Sequence, residues 1–360
     1  MKILFVTSIE RGGPLEQALV LARALVADGH TVGAVCATPS LAERFAAAGA
    51  TPSLIPLRHA LDLPRALAVT RVARGADVVH SHDRRSGLWV RLGPRPRKGG
   101  LRVSSVHGLP DPYHPTIEGH GSPGLRARLA YRTLDGTLYR RADAIVVPSR
   151  AVAEDLATRL GYPRARMTVV PNGIELDVRT GGSRDALIGT VSVLEAAKGL
   201  DVFLRAAAVL ARERPAMRFA MFGAGSQAAA LDRLTRELGL DGRVERPGFV
   251  AGADAWSRLG VYVLSSWAET APMALLEAMA ARVPIVATAV GGVPEIVDET
   301  TARLVPPGDP ARLAAAIADV VDDAAATDRR VQAARARVEA HFSAQANQRA
   351  IVDLYERLIA

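Results

Sequence analysis

Short apolar segments rich in β-branched residues alternate with alanine-rich amphipathic stretches along almost the whole chain. The first segment, KILFVTS (2–8), precedes a helical pattern near 14–27, and the second, HTVGAVCA (30–37), precedes one near 40–48. Strands that are each followed by a helix predict an α/β fold in which helices cover both faces of a parallel sheet. Further segments of this kind lie at 76–82, 101–108, 142–149 and 166–173.

A polar, glycine-rich segment, PNGIELDVRTGGSRD (171–185), interrupts this alternation. It follows no helical or strand period, and its composition is typical of a linker. The alternation then restarts, so we predict two doubly wound Rossmann-like domains, residues 1–170 and 186–342, with a last helical segment at 343–360. Open α/β sheets bind ligands at the carboxyl ends of their strands, and the expected ligand site is therefore a central cleft that the two domains face.

Cysteine content and hydropathy limit the class of protein. The 360 residues include a single cysteine, Cys36, which excludes an internal disulfide framework and a cysteine-based zinc site. No uncharged apolar run approaches the roughly 20 residues that a spanning helix needs. The opening segment MKILFVTSIERGG has a short apolar core and no small-residue cleavage site, so we interpret it as a first strand. We expect a cytoplasmic protein.

The formal net charge of +8 is distributed unevenly. Residues 1–180 carry 25 Arg and Lys against 15 Asp and Glu, whereas residues 181–360 carry 20 against 22. The basic excess concentrates at 84–102 and 126–150. Two explanations stay open: a solvated face in an arginine-rich chain, or a surface for an acidic acceptor or for peripheral contact with an anionic membrane. Nucleic acid is not an expected partner, because no binding motif or interleaved aromatic residues accompany the charge.

Two glutamates lie eight positions apart in the segment ETAPMALLEAMAARVPIVAT (269–288). Glu269 follows an apolar strand, Pro272 suits the first position of a helix, and Glu277 falls about one and a half turns into that helix. Unpaired carboxylates are costly to bury, so a ligand is the natural reason for this arrangement. Carboxylates accept hydrogen bonds from sugar hydroxyls, and helix-start amides bind phosphate. A ligand that carries both groups is therefore predicted here.

This segment resembles the paired-glutamate motif of family 4 glycosyltransferases (glycosyl transferases group 1). The likeness extends over nearly the whole chain, because several motifs follow one another in the family's order. The resemblance implies the GT-B fold, a nucleotide-sugar donor in the C-terminal domain, an acceptor in the N-terminal domain, and a final helix that packs back on the first domain. The motifs are SIERGGPLEQALVLARAL, VHSH, VHG, VVPNGIE, AAKGLDVFLRA, FGAGS, LLEAMAARVPIVAT and GGVPEIV.

The resemblance also implies roles for the residues around the two glutamates. Glu269 would contact the donor sugar, and Glu277 would contact the ribose hydroxyls. Phe249 and Val250 lie where the family holds its nucleobase, although core packing explains them equally well. The residues between the glutamates that we expect to line the donor site are Thr270, Ala271, Pro272 and Met273.

Lys198, in AAKGLD, is one of only three lysines in the chain. It opens a predicted helix after the first strand of the second domain. From that position its ammonium group would neutralise charge on a leaving diphosphate. The family usually carries an arginine about five positions earlier, and here Ser192, Val193 and Leu194 occupy that region. One cationic group of the expected clamp is therefore missing.

The first domain supplies a glycine pair and two histidines at predicted strand ends. Gly12 and Gly13 lie between the first strand and the first helix, where the resemblance puts a loop beside the donor phosphates and the acceptor. His107 ends an apolar strand, and its equivalent in the family contacts the transferred sugar. His82 ends another strand and is a candidate for the acceptor side, whereas we interpret the neighbouring His80 as structural.

The predicted reaction moves a glycosyl group from a nucleotide-diphosphate sugar to a hydroxyl of a glycan, lipid-linked, phosphorylated or small-molecule acceptor, with anomeric retention. Lys198, Glu269 and His107 are the candidate catalytic residues. No cofactor is expected, and no metal either, because the chain contains no Asp-x-Asp motif. Two alternatives remain: a nucleotide-sugar epimerase or hydrolase of the same fold, and a non-catalytic partner subunit that binds a sugar nucleotide.

Overall fold

The computed structural model describes residues 1–10, 12–56, 62–96, 99–108, 129, 133, 135–177, 187–250 and 252–360. The described chain forms two compact units. Unit 1 contains its residues up to 175 together with 341–360, and unit 2 contains 176–340. Most of the predicted linker at 171–185 falls outside the described residues.

The described residues of unit 1 form a parallel seven-stranded sheet in the order β3-β2-β1-β4-β5-β6-β7. Its strands are β1 (Lys2–Thr7), β2 (Thr31–Cys36), β3 (Thr51–Leu54), β4 (Val78–Ser81), β5 (Leu101–Ser105), β6 (Ala144–Val147) and β7 (Met167–Val169). Its helices are α1 (Gly13–Ala27), α2 (Pro39–Ala47), α3 (Leu63–Ala73), α4 (Arg84–Leu92), α5 (Gly136–Tyr139), α6 (Arg150–Leu160) and, at the end of the chain, α14 (Ala344–Ile359).

The apolar run of β1 shows why this sheet is covered on both faces. Ile3 and Phe5 point into one hydrophobic cluster, whereas Leu4 and Val6 belong to another. Successive side chains of a strand point to opposite faces, so a continuous apolar run requires cover on each side. The α/β class predicted from the sequence is confirmed.

The last helix, α14, belongs to unit 1 and packs in the core that contains Phe5 and Leu15. Its residues Ile351 and Tyr355 are almost fully buried there. A buried polar contact adds to this packing, because Gln17 Nε2 of α1 donates a hydrogen bond of 2.9 Å to the side-chain oxygen of Asn347. Helix α14 therefore contributes to the hydrophobic core that also contains residues of β1 and β2.

Unit 2 has a parallel six-stranded sheet in the order β10-β9-β8-β11-β12-β13 within the described residues. The strands are β8 (Leu187–Val191), β9 (Arg218–Phe222), β10 (Val244–Gly248), β11 (Leu259–Leu264), β12 (Ile285–Thr288) and β13 (Arg303–Val305). The helices are α7 (Leu200–Glu213), α8 (Ala228–Glu237), α9 (Gly252–Arg258), α10 (Met273–Ala280), α11 (Val293–Ile296), α12 (Pro310–Asp322) and α13 (Ala324–His341).

The strand order of unit 2 puts two chain segments side by side that are far apart in sequence. β8 and β11 are hydrogen-bonded neighbours at the middle of the sheet. Because the strands are parallel, the loops that follow β8 and β11 leave the same edge of the sheet. Lys198 lies in the first of these loops and Glu269 in the second.

Nowhere in the described chain does a helix combine the length and the apolar character that crossing a bilayer demands.

Candidate functional site

Lys198 and Glu269 form an ion pair at the carboxyl edge of the unit 2 sheet. Lys198 Nζ lies 2.7 Å from Glu269 Oε1, and the hydroxyl of Ser266 donates to the same oxygen at 2.6 Å. The carboxylate side chain is only 6% exposed and the lysine side chain 24%. The structure therefore brings together two residues that the sequence pattern singled out separately, and it pairs the buried charge.

The backbone around Lys198 fits closely against the loop that precedes Glu269. Lys198 ends a single 3-10 turn at 196–198, and α7 begins two residues later, so it precedes the helix that it was predicted to open. Gly199 has φ +57°, and a Cβ atom at this position would lie 2.1 Å from the carbonyl oxygen of Ser265. Trp267 N donates to the Ala197 carbonyl at 2.9 Å. Glycine at 199 is thus required both for its conformation and for this close approach.

A second glycine turn holds the backbone of Glu269 from the other side. Gly292 N donates to the Glu269 carbonyl at 3.1 Å. Gly291 has φ +50°, and a Cβ atom there would lie 1.9 Å from the same oxygen. Both glycines belong to the motif GGVPEIV. The structure shows that this turn closes on the backbone of the candidate catalytic glutamate.

Glu277 is half-buried in α10, and a buried tryptophan holds its carboxylate. Trp256 Nε1, on α9, donates to Glu277 Oε2 at 3.1 Å, and the Trp256 residue is 2% exposed. The Trp256 ring packs edge-on against Tyr262 at 5.1 Å between centroids. Sequence analysis missed this contact, although a buried indole N–H generally needs an acceptor.

The charges of both glutamates affect the pKa of Tyr262. It lies on β11 with a fully buried hydroxyl that has no hydrogen-bond partner within the described residues. Its pKa is raised well above the usual value, first by burial and then by the negative charges of Glu269 and Glu277. Both carboxylates therefore contribute to the raised pKa of the same hydroxyl group.

The other predicted donor-site residues differ in exposure. Ala271 and Pro272 are buried, whereas Thr270 and Met273 are half-buried. Pro272 is the N-cap residue rather than the first helical residue, because α10 begins at Met273. The one-residue shift leaves Glu277 in the second turn of the helix.

Phe249 and Val250 follow β10 in unit 2. The Phe249 ring is 87% exposed, which excludes core packing as the reason for this residue. Val250 is half-buried. An exposed aromatic ring at the carboxyl end of a strand remains available to a flat ligand such as a nucleobase.

The region where the resemblance expects an arginine carries no substitute cation of its own. Val193 is 52% exposed and Leu194 is buried. The next residue, Glu195, accepts hydrogen bonds from Ser226 N at 2.9 Å and from the Ser226 hydroxyl at 2.5 Å. This segment is thus tied to the FGAGS turn, and Lys198 is the cationic side chain that the structure sets against Glu269.

In unit 1, Gly12 caps the N-terminus of α1, whose first residue is Gly13. Gly12 has φ +91°, and its carbonyl accepts from Leu15 N at 3.1 Å and from Glu16 N at 3.2 Å. A positive φ favours glycine. The turn therefore has a conformational reason for Gly12, and its part in ligand binding stays a prediction.

Three histidine rings lie side by side at the carboxyl ends of β4 and β5. The His82 ring stacks on His80 at 4.3 Å between centroids and contacts Phe5 at 4.4 Å, with Phe5 and His80 5.7 Å apart. His107 lies 6.3 Å from His82 with the two planes nearly parallel. His82 is 1% exposed, so this candidate acceptor-side residue lies inside the unit. His80 bonds the hydroxyls of Tyr355 and Ser105 at 2.6 and 2.8 Å, as its predicted structural role requires.

Burial keeps the three rings uncharged at neutral pH. It lowers the pKa of His80 to about 3, with the nearby His107 adding to the effect. The pKa of His82 falls well below its usual value through burial and through its two histidine neighbours. Burial lowers the pKa of His107 to about 4, although the charge of Asp83 acts in the opposite direction. Neutral rings at this edge of the sheet offer both a hydrogen-bond donor and an acceptor.

The backbone before and after His82 is held by adjoining elements. His82 N donates to the Val6 carbonyl at 3.0 Å. Asp83 caps α4 through Ser86 N at 2.8 Å, and it also accepts from Ser8 N at 2.6 Å. These contacts tie the ends of β1 and β4 together and fix where the His82 ring enters the stack.

Metal ligation has no support in the part of the chain that the structure describes, where no group of three or more His, Cys, Asp or Glu side chains could hold an ion. The His80 ring stacks on the His82 ring, and its two nitrogens bond the hydroxyls of Tyr355 and Ser105.

Two family models match successive parts of the chain. The one described as Glycosyltransferase Family 4 matches residues 11–178, and the one described as Glycosyl transferases group 1 matches residues 185–323. Among curated relatives, the chain is 28% identical to glycogen synthase of Mycobacterium tuberculosis over 298 residues, which are 78% of this chain and 68% of the relative. It is 31% identical to D-inositol 3-phosphate glycosyltransferase of Mycolicibacterium smegmatis over 293 residues, 75% of this chain and 63% of the relative. The chain thus spans about two thirds of the length of these relatives.

Solved structures match nearly the whole chain. HepE of Anabaena, crystallised in complex with UDP and glucose, matches with a TM-score of 0.83 and 18% identity over 99% of this chain and 100% of that chain. Sucrose-phosphate synthase of Thermosynechococcus elongatus matches with a TM-score of 0.80 and 20% identity over 99% and 98%. At these identities the likeness concerns the fold, and it confirms the GT-B fold that the motifs implied.

Proposed function

The chain belongs to the family 4 glycosyltransferases, and on that premise we propose that it moves a sugar from a nucleotide-diphosphate donor to an acceptor hydroxyl with retention of the anomeric configuration. Glycosyl transfer from a nucleotide sugar follows from the family. The observation that carries the assignment of roles is the 2.7 Å contact of Lys198 with Glu269, beside the tryptophan-bound Glu277.

In unit 2 we assign the donor to the corner between β11 and α10. Glu277 accepts hydrogen bonds from the ribose hydroxyls, and Glu269 accepts hydrogen bonds from hydroxyls of the sugar. The amides at the start of α10 and the ammonium of Lys198 bind the diphosphate. Lys198 is paired with Glu269 in the structure, and a diphosphate competes with that carboxylate for it. The exposed Phe249 ring provides a surface for the nucleobase.

The transfer step needs no covalent enzyme intermediate. The bond between the anomeric carbon and the diphosphate oxygen breaks, and the acceptor oxygen attacks the same face of the sugar. The acceptor proton passes to the departing phosphate oxygen, so atoms and charge balance within donor and acceptor. Lys198 stabilises the negative charge that develops on the leaving group, while Glu269 and His107 orient the sugar. No metal or other cofactor takes part.

We assign the acceptor to unit 1, with His107 and His82 on the acceptor side and the Gly12–Gly13 turn near both substrates. Acceptor classes that fit the basic excess of residues 1–180 are phosphorylated, lipid-linked and glycan acceptors. The name of the inositol phosphate glycosyltransferase relative points to the same chemistry. A cytoplasmic location with peripheral contact to an anionic membrane also fits. Sedimentation with vesicles of anionic lipid but not of neutral lipid tests that contact.

Turnover tests the assignment directly. UDP-sugars are the first donors to offer, since HepE was crystallised with UDP and glucose, followed by GDP-, ADP- and TDP-sugars. We expect release of nucleoside diphosphate only when an acceptor is present, and an unchanged rate in excess EDTA. The coupling between the anomeric protons in the NMR spectra of donor and product reports retention. Inverted product, or loss of activity in EDTA, contradicts the mechanism.

One observation favours a second candidate, a non-catalytic subunit that binds sugar nucleotides. Val193 and its neighbours replace the expected arginine, and the acidic Glu195 lies next to them. Tight binding of UDP without turnover of any donor supports this candidate. Restoration of a cation by Val193→Arg separates the cases, because an active enzyme with one cation gains rate whereas a pure binding module gains affinity only.

A further inference from the structure

Unit 1 contains a small pocket between its sheet and its helices. The pocket has a volume of about 20 Å³, enough for one water molecule and little more. Polar groups line it as well as apolar ones. The polar residues that face it are Gln17, His82, Ser105, His107, Asn172 and Asn347.

The two histidines bring unpaired hydrogen-bonding atoms to this pocket. Both ring nitrogens of His82 are buried without a partner among the described residues, and the same holds for Nε2 of His107. A neutral imidazole carries one N–H donor and one acceptor nitrogen. Buried polar atoms in native proteins are almost always satisfied by protein groups or by ordered water. These nitrogens therefore require a partner that the described residues do not supply.

Other polar groups around the pocket are already engaged. Gln17 Nε2 donates to Asn347 Oδ1 at 2.9 Å, and Gln17 Oε1 accepts from Gly173 N at 2.9 Å. Asn347 Nδ2 donates to the Pro171 carbonyl at 2.7 Å. The Ser105 hydroxyl bonds His80. Most of the pocket's buried polar atoms that lack a hydrogen-bond partner among the described residues thus belong to the His82 and His107 rings.

The His82 ring packs between neighbouring aromatic rings. His80 and Phe5 lie 4.3 and 4.4 Å from it between centroids and 5.7 Å from each other, and the His82 backbone N is bonded to Val6. The His80 ring is fixed in turn by Tyr355 of α14 and by Ser105. The orientation of the His82 ring nitrogens is therefore set by the sheet and the last helix together.

We infer that this pocket binds one ordered water molecule that hydrogen-bonds both His82 and His107, and that His82 is a positioning residue for His107. The water donates a hydrogen bond to the enclosed Nε2 of His107, which leaves the proton on Nδ1 and makes Nδ1 the donor to a substrate hydroxyl. The catalytic part of this inference rests on the proposed role of His107 in sugar transfer. The binding of water and the choice of tautomer do not depend on it.

NMR of the full chain with 15N-labelled histidine tests the water and the tautomer. We expect His107 in one neutral tautomer with Nε2 as acceptor, and a cross-peak from its ring to a long-lived water. His82→Phe keeps a flat ring in the stack and removes both nitrogens, and we expect it to shift the His107 tautomer equilibrium. His341→Phe, at an exposed position at the end of α13, should leave the His107 signals unchanged. A mixture of His107 tautomers in the wild type without a bound water overturns the inference.

Kinetics test the positioning role. We expect His82→Phe to lower kcat about tenfold with the donor KM within twofold, and His82→Gln, which retains a donor and an acceptor, to recover most of the rate. An unchanged kcat in a folded His82→Phe variant overturns the positioning role. If His82→Phe does not fold, the wild-type spectrum still tests whether the water is bound. The His107 tautomer and the kcat of His82→Gln then test the positioning role. If the wild type transfers no sugar but shows the water and the single tautomer, the proposed function fails and the water site stands.

Discussion

The candidate residues of the two units satisfy the same physical constraint in opposite ways. In unit 1, His80, His82 and His107 form no ion pair within the described residues, although the charge of Asp83 acts on His107. Burial lowers their pKa values until the rings are neutral at pH 7. In unit 2, the Glu269 side chain is equally enclosed, at 6% exposure, but it is paired with Lys198. Removing charge from water is costly unless a partner compensates for it. One unit avoids the charge, and the other pairs it.

This difference matches the kind of ligand that each unit would bind. Neutral rings donate and accept hydrogen bonds, which suits hydroxyl groups of a sugar or an acceptor. An ammonium held by a carboxylate can exchange that partner for a diphosphate, which suits a charged donor. The comparison also has consequences for stability, since the neutral and the paired sites respond differently to pH and to substitution.

The largest expected effect is a loss of stability on acidification, caused by the buried histidines of unit 1. The pKa values of His80 and His107 are lowered in the folded state, to about 3 and about 4. Below pH 6.5 these two side chains therefore bind protons in the unfolded chain but stay neutral in the folded one. Stability is therefore complete above pH 6.5 and falls as the pH drops towards 4. Each ring costs about 1.4 kcal/mol per pH unit, or roughly 4 kcal/mol for both between pH 6.5 and 5.

Urea unfolding of unit 1 between pH 7 and 4.5 measures this loss. His80→Gln provides the control, because it removes one titrating ring and should reduce the slope by about one proton. A free energy of unfolding that is flat from pH 7 to 5 would mean that the three rings are solvated and that the contrast with unit 2 is wrong.

Removal of the ammonium group should have the next largest effect. Lys198→Ala takes away the cation that stabilises the leaving diphosphate, and we expect kcat to fall about 100- to 1,000-fold, roughly 3 to 4 kcal/mol of transition-state stabilisation. Arg205→Ala removes an exposed cation from α7, the neighbouring helix, and should leave kcat within twofold. Steady-state rates with a UDP-sugar measure both. Equal rates for the two variants would show that Lys198 does not act on the leaving group.

The glycine turn behind Glu269 should give a smaller loss, and one in stability. Gly291→Ala places a Cβ atom 1.9 Å from the Glu269 carbonyl oxygen at φ +50°, so we expect the free energy of unfolding of unit 2 to fall by about 2 to 3 kcal/mol. Gly239→Ala is a matched control, because φ is +69° there and nothing lies within 4 Å of the new atom. It should cost only about 1 kcal/mol. Thermal unfolding of both variants separates the steric clash from the backbone strain.

The features of the candidate site that the sequence predicted are of a different physical kind from those that it did not predict. The alternation of strands and helices predicted both parallel sheets. Lys198 and Glu269 follow β8 and β11, and the structure brings them together because parallel neighbours end at one edge. Trp256 was missed because its contact with Glu277 depends on how α9 packs, which no local pattern encodes. The closing of Gly291 on Glu269 likewise depends on the packing of two loops. Charge and strand ends are readable in a sequence, whereas the partners of a side chain follow from topology.

The smallest effect should come from the indole that holds Glu277. Trp256→Phe keeps an aromatic ring against Tyr262 and removes the N–H that donates to Glu277 Oε2 at 3.1 Å. We expect UDP to bind about fivefold more weakly, about 1 kcal/mol, because the carboxylate loses one of its orienting bonds. Trp89→Phe in unit 1 is the control, since the buried Nε1 of Trp89 has no hydrogen-bond partner among the described residues. Titration calorimetry with UDP compares the two. An equal affinity for both variants would show that Glu277 needs no such support from Trp256.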